Sequence, residues 1–425
     1  MLTLPYIREN REKAIQLLRI RNFDATETVD KLLKADVIRR ENQSKVNELQ
    51  AEMNQISKEI GELFKNGEHE KGNQARQRTT EIKNSINELS AGMQKAAGQI
   101  NDLLVLIPNI PNDLVPPGNS EADNQAIREG GEMPVLDGDA RPHWEIAKEY
   151  DLIDFDLGVK LTGAGFPVYK GAGARLQRAL ISFFLDRNIA AGYTEILPPL
   201  MVNADSGFGT GQLPDKEGQM YHVQSDDFYL IPTAEVPVTN IYRDVILEES
   251  QLPIKNTAYT PCFRREAGSY GKDVRGLNRV HQFDKVEIVQ IQSPENSYTA
   301  LEEMVSHVES IIIDLQLPYR IVRLCGGDLG FTSAMTYDFE VYAAAQDKWL
   351  EVSSVSNFES YQANRLKLRY KKRDEKKPGL AHTLNGSALA LPRIVAALLE
   401  NNQTKEGIAV PEVLRNLMGT DKIMK

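Results

Sequence analysis

The segment FRREAGSYGKDVRGLNRVHQF, Phe263 to Phe283, gathers charge and backbone freedom in one place. Arg264 and Glu266 stand two residues apart, and three glycines follow with Lys272, Arg275 and Arg279 before DKVE restores alternation. Read as a strand, CFRRE directs Arg264 and Glu266 to one face, because strand side chains at i and i+2 point together. A guanidinium grips a phosphate or carboxylate through two parallel hydrogen bonds, and a neighbouring carboxylate accepts from amino groups. Such a pair suits a zwitterion or a nucleotide, with the basic, glycine-rich loop closing over it. A surface hairpin with a mutual Arg–Glu pair is the plainer alternative, and an exposed pair contributes little.

Three further segments carry candidate chemistry. IPTAEVP sets Thr233 and Glu235 just after a strand, as ligand groups or as a helix cap with an acid in the first turn. WLEVSSVSNF puts Glu351 and Ser353 on one strand face with Ser354 adjacent, an oxygen-rich set suited to magnesium or simply a polar edge strand. HTLNGSALALPRIVAALLE joins a small-residue turn at Asn385, Gly386 and Ser387 to an apolar helix containing Arg393. An arginine buried there needs a partner, and a phosphate or a carboxylate would serve. Two segments are set aside. GAGARL (171–176) departs from the dinucleotide fingerprint, and RLKLRYKKRDEKK (365–377) reads first as a solvated flexible loop, second as a contact near a polyanion.

The elements that must hold these groups follow from length and period. A chain of 425 residues exceeds one ordinary core, so two domains are expected. Val46, Leu49, Met53, Ile56, Ile60 and Leu63 form one heptad seam, and Ile82, Ile86, Leu89, Met93, Ala96, Ile100 and Leu103 a second. The break KNGEHEKGNQ between them suits a reversal, giving an antiparallel helical hairpin. From Glu27 to Phe64 the arm spans on the order of 57 Å at about 1.5 Å per residue, too thin for a catalytic pocket. Lys65, Lys71, Arg76, Arg78 and Lys83 lie towards its tip, as a polyanion surface or as the solvated face of a dimerising coiled coil.

Residues 108–142 hold ten prolines and glycines in 35 positions, a linker or a surface-hugging chain. The domains expected are therefore 1–107, a linker at 108–142, and 143–425. Beyond it HWEIAKEYDLID reads as a short helix, and a longer amphipathic helix carries Leu176, Leu180 and Phe184. Short alternating runs then follow one another through turns, the pattern of an antiparallel sheet flanked by helices, an α+β fold. No apolar run reaches membrane length and no secretory signal opens the chain. Two cysteines without a CxxC pair favour a cytoplasmic setting, and scattered histidines offer no dedicated zinc site. The net charge of −10 argues against general nucleic-acid coating, yet residues 1–110 carry 17 lysines and arginines against 16 carboxylates.

In order along the chain, the hairpin, PNIPNDLVPPG, TAE, FRREAGSYGKDVRGLNRVHQFDKVE, GDLGFTSAMTYDFE, EVSS and HTLNGS resemble the bacterial-type seryl-tRNA synthetases, a class II aminoacyl-tRNA synthetase family, over essentially the whole length. The resemblance implies a ligase that activates serine with ATP and transfers it to the 3′ end of tRNA(Ser), and of tRNA(Sec) in hosts that make one. It assigns Arg264 to the α-phosphate and the serine carboxylate, Glu266 to the adenine amino group and Phe283 to stacking on the base. Arg265 and Val280 would line the ATP site, and Arg393 would pack on the adenine and γ-phosphate side as the family's motif 3 arginine. Glu351 and Ser354 would hold Mg2+, with Val352 and Ser353 completing that wall. Thr233, Ala234, Glu235, Glu287 and Ser387 would surround serine. EILPPLMV, with Pro199, resembles the motif that builds the homodimer. Lys65, Lys71, Arg76 and Arg78 would meet tRNA phosphates, the arm reading RNA shape more than sequence.

Some positions depart from the family's usual pattern: Ala388 and Pro392 near Arg393, Met335 and Phe358. Three other readings stand beside the ligase: a non-catalytic paralogue, an enzyme loading a carrier protein, and a coiled-coil scaffold. The retained phosphate and metal positions count against the first, the intact arm against the second, and the ordered motifs against the third.

Overall fold

The computed structural model describes residues 1–136, 140–267 and 275–425. Lys272, assigned above to the closing loop, lies outside the described residues. Two compact units emerge: Met1–Arg19 with Phe23–Pro108, and Ile20–Asn22 with Asn109–Lys425.

The first unit is dominated by α1 (Thr26–Lys65) and α2 (His69–Val105), of 40 and 37 residues. At about 1.5 Å per residue α1 is roughly 60 Å long. Ile82, Ala96 and Ile100 are buried, whereas the other seam positions are half-buried. A two-helix hairpin offers each helix one neighbour, so a seam can be covered from one side only. Gly67 makes the reversal with φ +80, and at Gly72 a Cβ would come within 2.7 Å of the Phe64 ring. A glycine at 72 therefore lets that ring lie against α2.

The second unit is built on eight strands: β1 (Gln125–Gly130), β2 (Thr194–Glu195), β3 (Ile254–Phe263), β4 (Gln282–Gln292), β5 (Tyr319–Arg323), β6 (Met335–Ala343), β7 (Lys348–Glu359) and β8 (His382–Ala390). Their order is β1-β5-β6-β7-β8-β4-β3-β2. Every neighbour pair is antiparallel except β2–β3. The 108–142 segment, expected to lack regular structure, supplies β1. As a half-exposed edge strand its side chains carry little hydrophobic alternation, so only its backbone pairing with β5 reveals it. Asn385, Gly386 and Ser387, expected in a turn, lie instead inside β8, where Gly386 pairs with Val355 and Ile288.

Helices α4 (Gly171–Ala190), α6 (Ser297–Asp314) and α8 (Leu391–Asn401) cover one face of this sheet. Leu176, Leu180 and Phe184 of α4 are buried there with Val286, Ile288, Phe339 and Val355. Removing that area from water, at about 25 cal/mol per Å², is the main force holding the layer together. Of the GAGARL glycines, Gly173 serves close packing: a Cβ there would meet the Leu152 carbonyl at 2.2 Å. Two shorter helices complete the frame around the opposite face, α5 (Glu235–Asn240) and α7 (Ser360–Leu366), while α3 (His143–Glu149) packs against α8.

The basic run at 365–377 is not simply a solvated loop. Leu366, Leu368 and Tyr370 are buried together, and Arg369–Lys371 pairs as a strand with Ile246–Glu248. Arg365 is buried, its guanidinium donating to the Phe208 and Leu213 carbonyls. Alternating apolar residues among the lysines pull the first half inward; the charged remainder stays exposed.

Candidate active site

β3 ends at Phe263: Arg264 N–H still donates in register to His281 O, but the His281 N–H goes to Gly165 O and the Arg265 N–H to Gln219 O, so the ladder stops there. The shared strand face expected for Arg264 and Glu266 is thereby corrected. The Arg264 guanidinium lies 5.3 Å from the Phe283 ring centroid and its Nε donates to Pro232 O at 3.4 Å. Glu266 adopts φ +48 and pairs with Arg279 at 3.1 Å. The Arg265 side chain is exposed, and Val280 is buried.

Arg393 reaches the same region from the first turn of α8. Its Nε donates to Asn278 O at 3.1 Å, its Nη1 to Glu351 O at 2.7 Å, and the Glu351 carboxylate lies 3.7 Å away. Pro392 does not disturb this turn, since a proline at the start of a helix removes an N–H that has no intrahelical partner. Met335 and Ala388 are buried packing residues. A cavity of about 500 Å³ is lined by Asn278, Arg279, Asp338, Glu340, Glu351, Ser354 and Arg393, among others.

β7 reaches that cavity through a bulge. Phe339 pairs with Ser353 but Glu340 with Glu351, so the register slips by one residue at Val352. The slip turns Val352 and Ser353 into the buried layer and returns Glu351 to the face of Ser354. Regular alternation would have paired Glu351 with Ser353, the arrangement expected from the sequence. Asp338 lies opposite Ser354, half-buried, with one buried carboxylate oxygen lacking a hydrogen-bond partner. Burial, reinforced by Glu351, raises its pKa well above the usual range. An orphaned buried oxygen beside Glu351 and Ser354 fits a hard cation. Among the described residues no three His, Cys, Asp or Glu side chains form a metal cage; magnesium commonly borrows substrate phosphates and water instead.

Beside these groups β4, β8 and α5 form a polar cup. Glu287 on β4 pairs across with Ser387 on β8 and Ala258 on β3. Thr233 Oγ1 donates to Glu287 at 2.8 Å, and Lys285 meets the same carboxylate oxygen at 2.6 Å with both side chains buried. Ala234 caps α5, and the Glu235 amide donates to Thr233 Oγ1 at 3.2 Å. The Glu235 carboxylate accepts from Gln362 Nε2 at 2.6 Å, and Thr383 donates to the same amide's oxygen. Burial, then the Glu287 charge, pushes the Glu235 pKa up to about 7.

Asp338, Asn278, Lys285 and Gln362 were missed in the sequence. Lys285 alone left a local signal, an inward position two residues before Glu287 on an apolar strand. Gln362 meets Glu235 only through the fold.

On the hairpin, Lys71 pairs with Glu68 at 2.5 Å and Arg78 with Glu52 of the facing helix at 2.8 Å. Arg76 stacks 4.4 Å over Phe64. Lys65 is exposed in the last turn of α1.

Helices on one face of an antiparallel sheet, with arginines and a carboxylate cluster gathered at the other, describe the core of a class II aminoacyl-tRNA synthetase. Residues 221–402 match the model of the tRNA synthetase class II core domain (G, H, P, S and T), and residues 1–111 match the seryl-tRNA synthetase N-terminal domain. The serine–tRNA ligase of Salinibacter ruber is 50% identical over 424 residues, covering 100% of this chain and 99% of its own. That of Chlorobaculum parvum is 48% identical, with 100% of both chains covered. Among solved structures, the seryl-tRNA synthetase of Pyrococcus horikoshii complexed with ATP matches with a TM-score of 0.95 at 35% identity, covering 100% of this chain and 99% of that one. The chain belongs to the seryl-tRNA synthetase family, and its activity is the ATP-driven ligation of serine to tRNA. Among the described residues no helix is long and apolar enough to cross a membrane.

Proposed function

We propose that the polar cup holds serine, that the cavity beside it holds ATP, and that the two meet at Arg264. The convergence of Arg279, Arg393, Glu351 and Asp338 on one cavity carries this reading. Arg264 neutralises the α-phosphate and orients the serine carboxylate; Glu266 and Phe283 take the adenine, and Arg393 the γ-phosphate side. Arg265 and Val280 complete the nucleotide wall, with Val352 and Ser353 fixing it from behind. Glu351 and Ser354 hold a magnesium ion, which when bound neutralises phosphate charge.

The serine carboxylate attacks the α-phosphorus, pyrophosphate leaves, and the adenylate passes its seryl group to the terminal ribose of tRNA. No protein nucleophile is required, because orientation and charge neutralisation lower the barrier. Glu287 is already matched by Lys285 and Thr233, which leaves the Glu235 charge for the substrate ammonium. Thr233, Glu287 and Ser387 suit the hydroxyl. A site built to hydrogen-bond a hydroxyl rejects the analogue lacking it by roughly 10⁴–10⁵-fold.

The hairpin binds tRNA(Ser), and tRNA(Sec) where the host makes one, in a cytoplasmic setting. Lys65, Lys71, Arg76 and Arg78 supply phosphate contacts; Lys71 and Arg78 must exchange carboxylate partners to do so. The chain works as a homodimer through the segment around Pro199. There Leu197 is 87% exposed, and Leu200, Met201 and Phe228 are exposed too, more apolar surface than scattered residues explain.

ATP–pyrophosphate exchange with serine, threonine, alanine, cysteine and glycine tests the assignment. Exchange selective for serine is expected. No exchange from the folded protein with magnesium would overturn the activation step at this site.

A further inference from the structure

We infer that His143 is a positioning residue for the ATP site, acting through the backbone of Leu277 and Asn278. The inference rests on the reading of Arg264, Glu266 and Arg393 as ATP contacts. His143 opens α3 and is fully buried, far in sequence from every residue assigned to the reaction. Its Nε2 lies 2.9 Å from the Leu277 N–H, which can only donate. Nε2 is therefore the unprotonated acceptor, and Nδ1 carries the proton that it donates to Glu400 Oε1 at 2.8 Å.

Glu400 is the hub of this arrangement. Buried on α8, its carboxylate accepts from the His143 amide and ring, from the Ala345 and Gln346 amides, and from the Gln346 side chain. Gln346 in turn accepts from Asn278 Nδ2 at 2.8 Å. Leu277 is thus held by its backbone and Asn278 by its side chain. The Asn278 carbonyl is left facing Arg393 Nε at 3.1 Å, and the next residue, Arg279, pairs with Glu266.

Arg393 and Glu400 stand seven residues apart on α8, about two turns, so both lie along one side of the helix. One helix therefore carries both the phosphate-side arginine and the anchor that places its carbonyl partner. The fit is close. Gly276 has φ +63, and a Cβ there would come within 2.2 Å of His143 Nε2.

A core histidine of purely structural value would lower stability when replaced, without distinguishing its two nitrogens or the two substrates. The positioning role does distinguish them. His143→Gln can place an amide oxygen near the Nε2 site, whereas His143→Asn reaches only the Nδ1 site and leaves the Leu277 N–H without its acceptor. In pyrophosphate exchange the Gln variant should keep the KM for ATP within about twofold, and the Asn variant should raise it roughly tenfold, with the serine KM unchanged in both. Equal ATP KM values in the two variants, or parallel losses for ATP and serine, would overturn the inference. Arg393→Ala separates this from the underlying reading: a native ATP KM in that variant would sink the site assignment itself. Hydrogen exchange on the native protein reads the bond directly whatever the variants do. The Leu277 amide should exchange as slowly as the core of α8, and rapid exchange would overturn the role.

Discussion

Arg264 and Arg393 differ in what holds them before substrate arrives. Two backbone carbonyls fix Arg393, whereas Arg264 rests on the Phe283 ring and one long hydrogen bond. Arg264 is thus the more available for a developing charge, and Arg264→Ala should abolish serine-dependent pyrophosphate exchange, a loss of at least about 10³-fold. Near-native exchange would remove it from the reaction. Glu235 makes a second prediction. With its folded pKa at about 7 and its ordinary value at 4.5, the folded chain binds more protons between those limits. Stability relative to Glu235→Gln should therefore fall as pH rises from about 5 to 7 and stay level above, as urea denaturation would read. Only the ionised carboxylate attracts an ammonium, so the serine KM should fall as pH rises through about 7. A flat KM profile would assign the ammonium elsewhere.

At the scale of elements, period was legible and irregularity was not. The heptad seams located both arm helices, and alternation located most strands of the sheet, because burial on one side imposes a period on the side chains. The β7 bulge at Val352 left no such trace, since a single inserted residue changes partners without changing composition. The end of β3 was hidden similarly: Arg264 and Glu266 alternate like strand residues, but the Arg265 amide between them goes to Gln219 O and Glu266 takes φ +48. The candidate residues carried by motifs could be named from the sequence, whereas Gln362 and Asp338 meet their partners only once the chain folds. The arm's seam closes on itself, so its removal should leave the other unit's core intact. Deleting residues 40–90 should preserve pyrophosphate exchange and cripple tRNA charging; equal losses in both assays would contradict the division of labour.

Across the whole molecule, charge divides along the two proposed tasks. Residues 1–110 are nearly balanced in charge, while the remainder holds 33 lysines and arginines against 44 carboxylates. A balanced arm can meet a polyanion that an acidic body repels. The proposed dimer rests on a different property, the exposed apolar stretch around Pro199. Met201→Glu should shift the protein to monomer in sedimentation equilibrium, because a charge buried in such an interface lacks a partner. A dimer unchanged by that substitution would place the interface elsewhere.

The polar cup also bears on how such a protein could change over generations. Thr233 and Lys285 both bond to Glu287, and Glu235 and Thr383 both bond to Gln362. Replacing one member strands its neighbour, a penalty of about 1–3 kcal/mol for a buried group. With the cup as the proposed serine site, a path to another amino acid therefore runs downhill in fitness at its first step unless two positions change together. Libraries that vary one cup position at a time should return only weaker enzymes, and new specificity should emerge from paired substitutions.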